Sequence, residues 1–275
     1  MRRDVEMTFM EHLEELRDRI VYCLYAIVPA MAISFSFAKP LLKFITDHAR
    51  RHGVGTGQNA WQVDISISPI YGPFFTLRPE ALANNTLQTL SPVEFPIQYM
   101  KVAFVASIFL VFPFIMLQVW RFVEPGLKDA ERKYIGPFLL FSWLFFIFGG
   151  LFAYFGMLEV AVPMLLSFGE GITVNAWSLG NYVSFVLRMF LAFGIVFEMP
   201  VIAALLSILG IVTPEFLRHY RRYAILIMAI VAAILTPPDP WTMMLMGVPL
   251  LMLYEVSILV SKFFQRKPMD LNPKT

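Results

Sequence analysis

The chain has 275 residues, 58% of them hydrophobic and only 15% charged, with 27 Phe, 16 Met and a formal net charge of +2. A soluble domain carries about 45–50% apolar and about 25% charged residues, so this balance excludes a soluble globular protein; it also excludes a disordered one, whose signature is the reverse. The single cysteine, Cys23, excludes an internal disulfide and reads as a small packed residue in an apolar stretch.

The chain starts MRRDVEMTFMEHLEELRDRI, which lacks the short apolar region and small-residue cleavage site of a secretory signal, so this segment is expected to stay in the mature protein. Arg2 and Arg3 are read as ordinary cytoplasmic charge, because no apolar segment follows them closely. At 100° per residue, Phe9, Leu13, Leu16 and Ile20 fall on one helical face and Glu11, Glu14, Glu15 and Asp18 on the opposite one. Residues 1–19 are therefore expected to form a cytoplasmic amphipathic helix. Its apolar side rests on the membrane protein or the headgroups, its acidic stripe faces the cytoplasm, and Arg19 is within reach of Glu15. Such a stripe is either a solvated face or a carboxylate cradle for a cationic ligand, since guanidinium groups are bound best by bidentate carboxylates.

Four stretches, about 20–38, 96–119, 135–158 and 183–210, reach the roughly 20 apolar residues that cross a bilayer. Two shorter ones, about 223–236 and 241–261, are separated by Pro237, Pro238, Asp239 and Pro240, a turn no helix continues through. Six spans are expected. With the N-terminus inside, the cytoplasmic pieces hold Arg2, Arg3, Arg17, Arg19, Arg121, Lys128, Arg132, Lys133, Arg218, Arg221, Arg222, Lys262, Arg266, Lys267 and Lys274. These are fifteen of the 22 basic residues, so the charge bias puts both termini, including the tail 262–275, in the cytoplasm. Lys39, Lys101 and Arg188 lie at span ends on the outer side, where they snorkel outward. The fifth segment has an apolar core of only about fourteen residues: it is either a re-entrant element, which would put the C-terminal tail outside against the charge bias, or a span that calls for local bilayer thinning or an off-centre position. The external loop 41–95 is the one sizeable soluble piece; the alternation of Val63, Ile65 and Ile67 ahead of Pro69, Gly72 and Pro73 predicts a short strand or hairpin over residues 62–77.

Catalytic and metal-binding patterns are lacking: there is no HExxH, phosphate loop or nucleophile elbow, and no metal or cofactor is expected. The four histidines are assigned to loops or surface, His48 and His52 among them as an exposed i,i+4 pair. Asp129 is placed to cap the third span, with Glu131 in its first turn or else beside the N-terminal acidic stripe in one composite anionic site. Glu198 lies within the fourth span, where a carboxylate costs roughly 2.5–3.5 kcal/mol on insertion scales and faces a bundle interior or a wet cavity. Pro200 is expected to kink that span, and Arg188, ten residues away, is too distant to pair with Glu198 in the same helix.

The runs HLEELRDRI at 12–20, SPVEFPIQYMK at 91–101, QVWRFVEPGLKDAERK at 118–133, FGIVFEMPV at 193–201 and LTPPD at 235–239 together resemble the TatC family, the core receptor of the twin-arginine protein translocase. The resemblance covers nearly the whole chain. It implies an all-α integral membrane protein, with the six helices in a kinked, glove-like concave bundle, in the bacterial inner membrane. It further implies a signal-peptide receptor and translocase core that exports folded proteins, driven by the proton-motive force and not an enzyme. The implied partners are single-span TatA/TatB-type subunits, the twin-arginine signal peptides of cargo, and further copies of the chain; no nucleic acid is involved. The same likeness implies that Glu15 and Glu131 bind the two signal arginines while Phe122 and Pro125 shape the site. Glu198 and Thr236 would meet the partner subunits, and Pro40, Lys101 and Asp239 would have structural or outer-side roles. Met243 stands where the family often carries Gln, and residues 46–88 inherit no role from the resemblance. The alternative function is a proton-coupled secondary transporter with Glu198 as proton carrier, which calls for further midplane ionisable groups and related halves.

Overall fold

The computed structural model describes residues 9–51, 64–68, 72–76, 87, 89–123, 135–167, 178–235 and 240–264. Helix α1 (Phe9–Arg51) runs unbroken for 43 residues, through Pro29 and Pro40. At 1.5 Å per residue it is about 64 Å long, twice the roughly 30 Å hydrocarbon core, so it projects from the bilayer. Strands β1 (Asp64–Ser68) and β2 (Gly72–Thr76) form the hairpin expected over 62–77. They pair antiparallel, Asp64 opposite Thr76 and Ser68 opposite Gly72.

Helix α2 (Glu94–Val123) packs along α1. Helix α3 (Ile135–Phe152) passes through a π-helical turn, Ala153–Met157, into α4 (Leu158–Ser167). The turn presents Tyr154, whose ring stacks on Phe44 at 4.3 Å and whose hydroxyl donates to the Phe44 carbonyl at 3.1 Å, tying this helix to α1. Helix α5 (Leu179–Phe197) starts at Ser178, whose hydroxyl accepts from the Asn181 N–H at 3.1 Å, as an N-cap should. It is followed, after Glu198, by α6 (Met199–Ile208). Gly210, at φ +72°, turns the chain after α6, with the Ile211 N–H donating back to the Leu206 carbonyl at 2.9 Å. The short α7 (Pro214–His219) is capped by the Thr213 hydroxyl and leads into α8 (Arg221–Leu235); α9 (Pro240–Phe264) ends the described chain.

Among the described residues, five helical stretches are long and apolar enough to cross a membrane: Met10–Ala49, Glu94–Val123, Gly136–Leu165, Leu179–Ile208 and Met243–Phe264. Helix α8, the fifth expected span, has 15 residues, about 22 Å, and falls short of the hydrocarbon core.

The core gathers Phe146, Leu158, Tyr182, Met189 and Phe193, all essentially inaccessible. Phe146 stacks on Phe112 at 3.6 Å. The approach of α3 to α5 depends on two glycines. A Cβ on Gly149 would lie 2.5 Å from the Phe193 carbonyl oxygen, and one on Gly194 would lie 2.7 Å from the Phe146 ring. Small residues at such points let backbones meet where no hydrophobic effect drives helices together inside lipid. A second, smaller cluster joins Trp120, Phe138, Ala204 and Ile208, and beside it the Ser207 and Ser261 hydroxyls lie 2.6 Å apart between α6 and α9.

Of the two places expected for the apolar side of the first turns of α1, the packing leaves the headgroups or lipid: Leu13, Leu16 and Ile20 are exposed, and the partly buried face is His12, Glu15 and Arg19. Lipid or headgroups receive an apolar face as well as protein does, so apolarity alone does not choose the protein-facing side. His48 is buried at 1% exposure, its Nδ1 3.8 Å from a Glu159 carboxylate oxygen on α4 and its ring 5.0 Å from Tyr154. The surface assignment failed because α1 continues, packed, well past residue 38. His52 lies outside the described residues.

Candidate functional site

Two carboxylates sit in unlike surroundings. The first is Glu15, whose side chain keeps 18% exposure on the second described turn of α1. Its Oε1 accepts from Arg19 Nη2 at 2.8 Å, one helical turn on, and Arg19 Nη1 donates across to Gln118 Oε1 of α2 at 3.3 Å. The other carboxylate oxygen, Oε2, is buried without a hydrogen-bond donor among the described residues, with His12 Nδ1 at 4.0 Å. The His12 ring in turn stacks on Phe122 at 4.2 Å with 12° between planes. Glu15 and Phe122, which come from segments a hundred residues apart, thus share one corner, with His12, Arg19 and Gln118 completing it. Glu14 and Asp18 point away and pair with Arg17, at 3.4 and 3.0 Å, on the exposed side of the helix. Pro125 and Glu131 lie outside the described residues.

One oxygen of Glu15 accepts from a guanidinium, and the other is buried with no hydrogen-bond donor among the described residues, beside the stacked His12 and Phe122 rings. The Arg19 pairing was legible from its i,i+4 spacing. Gln118 and His12 were not singled out, although both stand inside the quoted motifs.

The second carboxylate is Glu198, 4% exposed, at the junction of α5 and α6. Pro200 has no N–H to donate into α5, and the helix yields there: the Glu198 N–H turns to the Ile195 carbonyl at 3.1 Å. Glu198, itself in right-handed helical conformation, is the single turn residue between α5 and α6, and the Ile202 N–H donates to its carbonyl at 2.9 Å as α6 begins. The Ser142 hydroxyl of α3 donates to Glu198 Oε2. Oε1 has no partner among the described residues, and a buried acceptor in that state leaves a full desolvation penalty unmet. Arg188 bends the other way, its Nε donating to the Ser184 carbonyl at 3.2 Å, in keeping with the expectation that it does not pair with Glu198.

Of the remaining expected residues, Pro40 is exposed within α1, and Lys101 Nζ donates to Ser184 Oγ at 3.0 Å. Met243 packs partly buried against the core. Thr236 and Asp239 lie outside the described residues.

Long apolar helices packed around a buried carboxylate make the chain a multi-pass integral membrane protein. It belongs to the TatC family: the model of that family, described as Sec-independent protein translocase protein (TatC), matches residues 11–249. Relatives of that name include one from Carboxydothermus hydrogenoformans, 35% identical with 96% of each chain covered. Another, from Aquifex aeolicus, is 35% identical over 96% of this chain and 99% of its own. A third, from Halothiobacillus neapolitanus, is 36% identical over 94% of this chain but only 63% of its own length. Among solved structures, a crystal structure of the twin-arginine translocase receptor TatC superposes with a TM-score of 0.75 and 34% identity, covering 93% of this chain and all of that one.

Proposed function

We propose that this protein is a twin-arginine signal-peptide receptor and the core of a translocase that exports folded proteins, drawing on the proton-motive force and carrying no catalytic site of its own. The chain spans the bacterial plasma membrane six times with both termini in the cytoplasm, α8 being the short fifth span. The observation that carries the reading is Glu15: a half-buried carboxylate with one oxygen that has no donor among the described residues, beside the stacked pair His12 and Phe122. Glu131, Pro125 and Phe122 complete the arginine-binding surface, and the apolar part of the signal lies against the bundle.

Glu198 and Thr236 meet polar groups of TatA/TatB-type single-span subunits, and several copies of the chain act together in the receptor complex. Pro40, Lys101 and Asp239 serve structure and the outer side. A buried carboxylate with one oxygen that has no donor among the described residues, at the junction of α5 and α6, suits a passing polar group on a partner helix.

The test is site-specific photocrosslinking of a twin-arginine signal peptide to the full-length chain in membranes. Crosslinks to the first turns of α1 that vanish in a Glu15→Ala/Glu131→Ala variant are expected. Unchanged crosslinking in that variant contradicts the site.

A further inference from the structure

Helices α2 and α5 meet along a polar seam near the end of the bundle where both begin. Glu94 closes its top: its Oε2 accepts from the Leu90 N–H at 2.6 Å and its Oε1 from the Gly180 N–H. Below it, Ser184 Oγ donates to Gln98 Oε1 at 3.4 Å. Two cations converge on the same serine, Lys101 Nζ on its hydroxyl at 3.0 Å and Arg188 Nε on its carbonyl at 3.2 Å. Both cations are exposed, and among the described residues no carboxylate pairs with either; Glu94, the acid on the same face, is occupied by the two backbone N–H groups.

Depth gives these charges a meaning. Each of the two 30-residue helical stretches, Glu94–Val123 and Leu179–Ile208, is about 45 Å long, the thickness of a bilayer with its headgroups. Ser184 is five residues, about 7 Å, from the start of α5, which is the boundary between headgroups and hydrocarbon. Two cations at that level, held by one serine and paired with no carboxylate among the described residues, attract an anion to the headgroup boundary. The surfaces leading inward from them are apolar and open: Phe104 follows Lys101 at i+3, and Ile195 follows Arg188 at i+7, at 44% and 62% exposure.

We propose that Lys101, Arg188 and the Ser184 hydroxyl form a binding site for an acidic phospholipid. Its phosphate sits between the ammonium and the guanidinium, and its acyl chain runs inward over Phe104 and Ile195. Basic sites between transmembrane helices take anionic headgroups for the same electrostatic reason. A free inorganic anion would satisfy the charges but would leave the apolar strip beneath them unused.

The test titrates the delipidated full-length protein in neutral detergent with phosphatidylglycerol or phosphatidylcholine of identical acyl chains, counting bound lipid by native mass spectrometry. A third arm adds inorganic phosphate as competitor. The expected result is an affinity for phosphatidylglycerol about tenfold above that for phosphatidylcholine. That preference disappears in Lys101→Gln/Arg188→Gln and persists in Lys39→Gln, and millimolar phosphate does not compete. Equal affinity for the two lipids, a preference retained in the double variant, or full competition by phosphate would overturn the site. Photoactivatable phosphatidylglycerol on the unaltered protein gives an arm independent of variant folding. Label on the peptides containing residues 101 and 188 supports the proposal, and label confined to other segments refutes it.

Discussion

Arg19 Nη2 lies 2.8 Å from Glu15 Oε1, and the same guanidinium reaches Gln118 on the neighbouring helix. A residue of the chain itself thus already occupies half of the carboxylate proposed to receive a signal arginine. The pair keeps 25% and 18% side-chain exposure, so solvent screens it and its contribution to stability is small, under about 1 kcal/mol. Arg19→Gln is therefore expected to shift the melting temperature in detergent by no more than a few degrees. A collapse of the fold in that variant would show that the corner is structural rather than a ligand site.

Glu198 and Ser142 are expected to separate stability from function. Ser142→Ala removes the hydroxyl that donates to Glu198 and leaves both carboxylate oxygens unsatisfied, which should lower stability by about 1–3 kcal/mol. Replacing both partners, Ser142→Ala with Glu198→Leu, removes the buried polar groups together and is expected to restore stability to about the wild-type level. Export of a twin-arginine reporter should nevertheless stay abolished in the double variant. Thermal melts and export measured on the same three proteins check both halves of this statement.

The packing around Glu198 depends on close contact between α3 and α5. Gly149→Ala places a methyl group 2.5 Å from the Phe193 carbonyl oxygen, and backbone cannot rotate aside as a side chain does. The expected loss is about 1–3 kcal/mol or more, typical of overpacking, seen as a lower melting temperature. Gly136→Ala on the same helix meets no atom within 4 Å and should be nearly silent.

The six-span reading rests on α8, which is too short by itself to cross a full hydrocarbon core. In a Cys23→Ser background, a cysteine introduced at Lys274 is expected to react with a membrane-impermeant maleimide only after the membrane is opened from the cytoplasmic side. Labelling of intact cells at that position would mean that α8 does not span.

What the sequence reveals about this molecule follows the range of the interactions. Local features were legible: the Glu15 to Arg19 pair from its spacing, the junction of α5 and α6 at Glu198 from Pro200, and the hairpin 64–76 from its alternation and turn residues. Features that join distant segments were not. His12 on Phe122, Arg19 on Gln118 and Ser142 on Glu198 each need a packing partner that no periodicity names. His48 was misread because an i,i+4 histidine pair looks like surface until α4 brings Glu159 beside it. For the first turns of α1 the sequence leaves protein and headgroups open as the seat of the apolar face, because in a membrane protein lipid is an equal alternative to protein.

The most direct measurement of the central claim is the affinity of the full-length protein for a twin-arginine signal peptide against its twin-lysine counterpart, with and without Glu15→Ala. A lysine presents a point charge where arginine presents a fork, and truncating one side of a desolvated charge pair costs about 2–5 kcal/mol. Twin-arginine binding is therefore expected to exceed twin-lysine binding and to fall by at least about thirtyfold in Glu15→Ala. Equal binding of the two peptides, or unchanged binding in the variant, would contradict the assignment of Glu15 as the arginine acceptor.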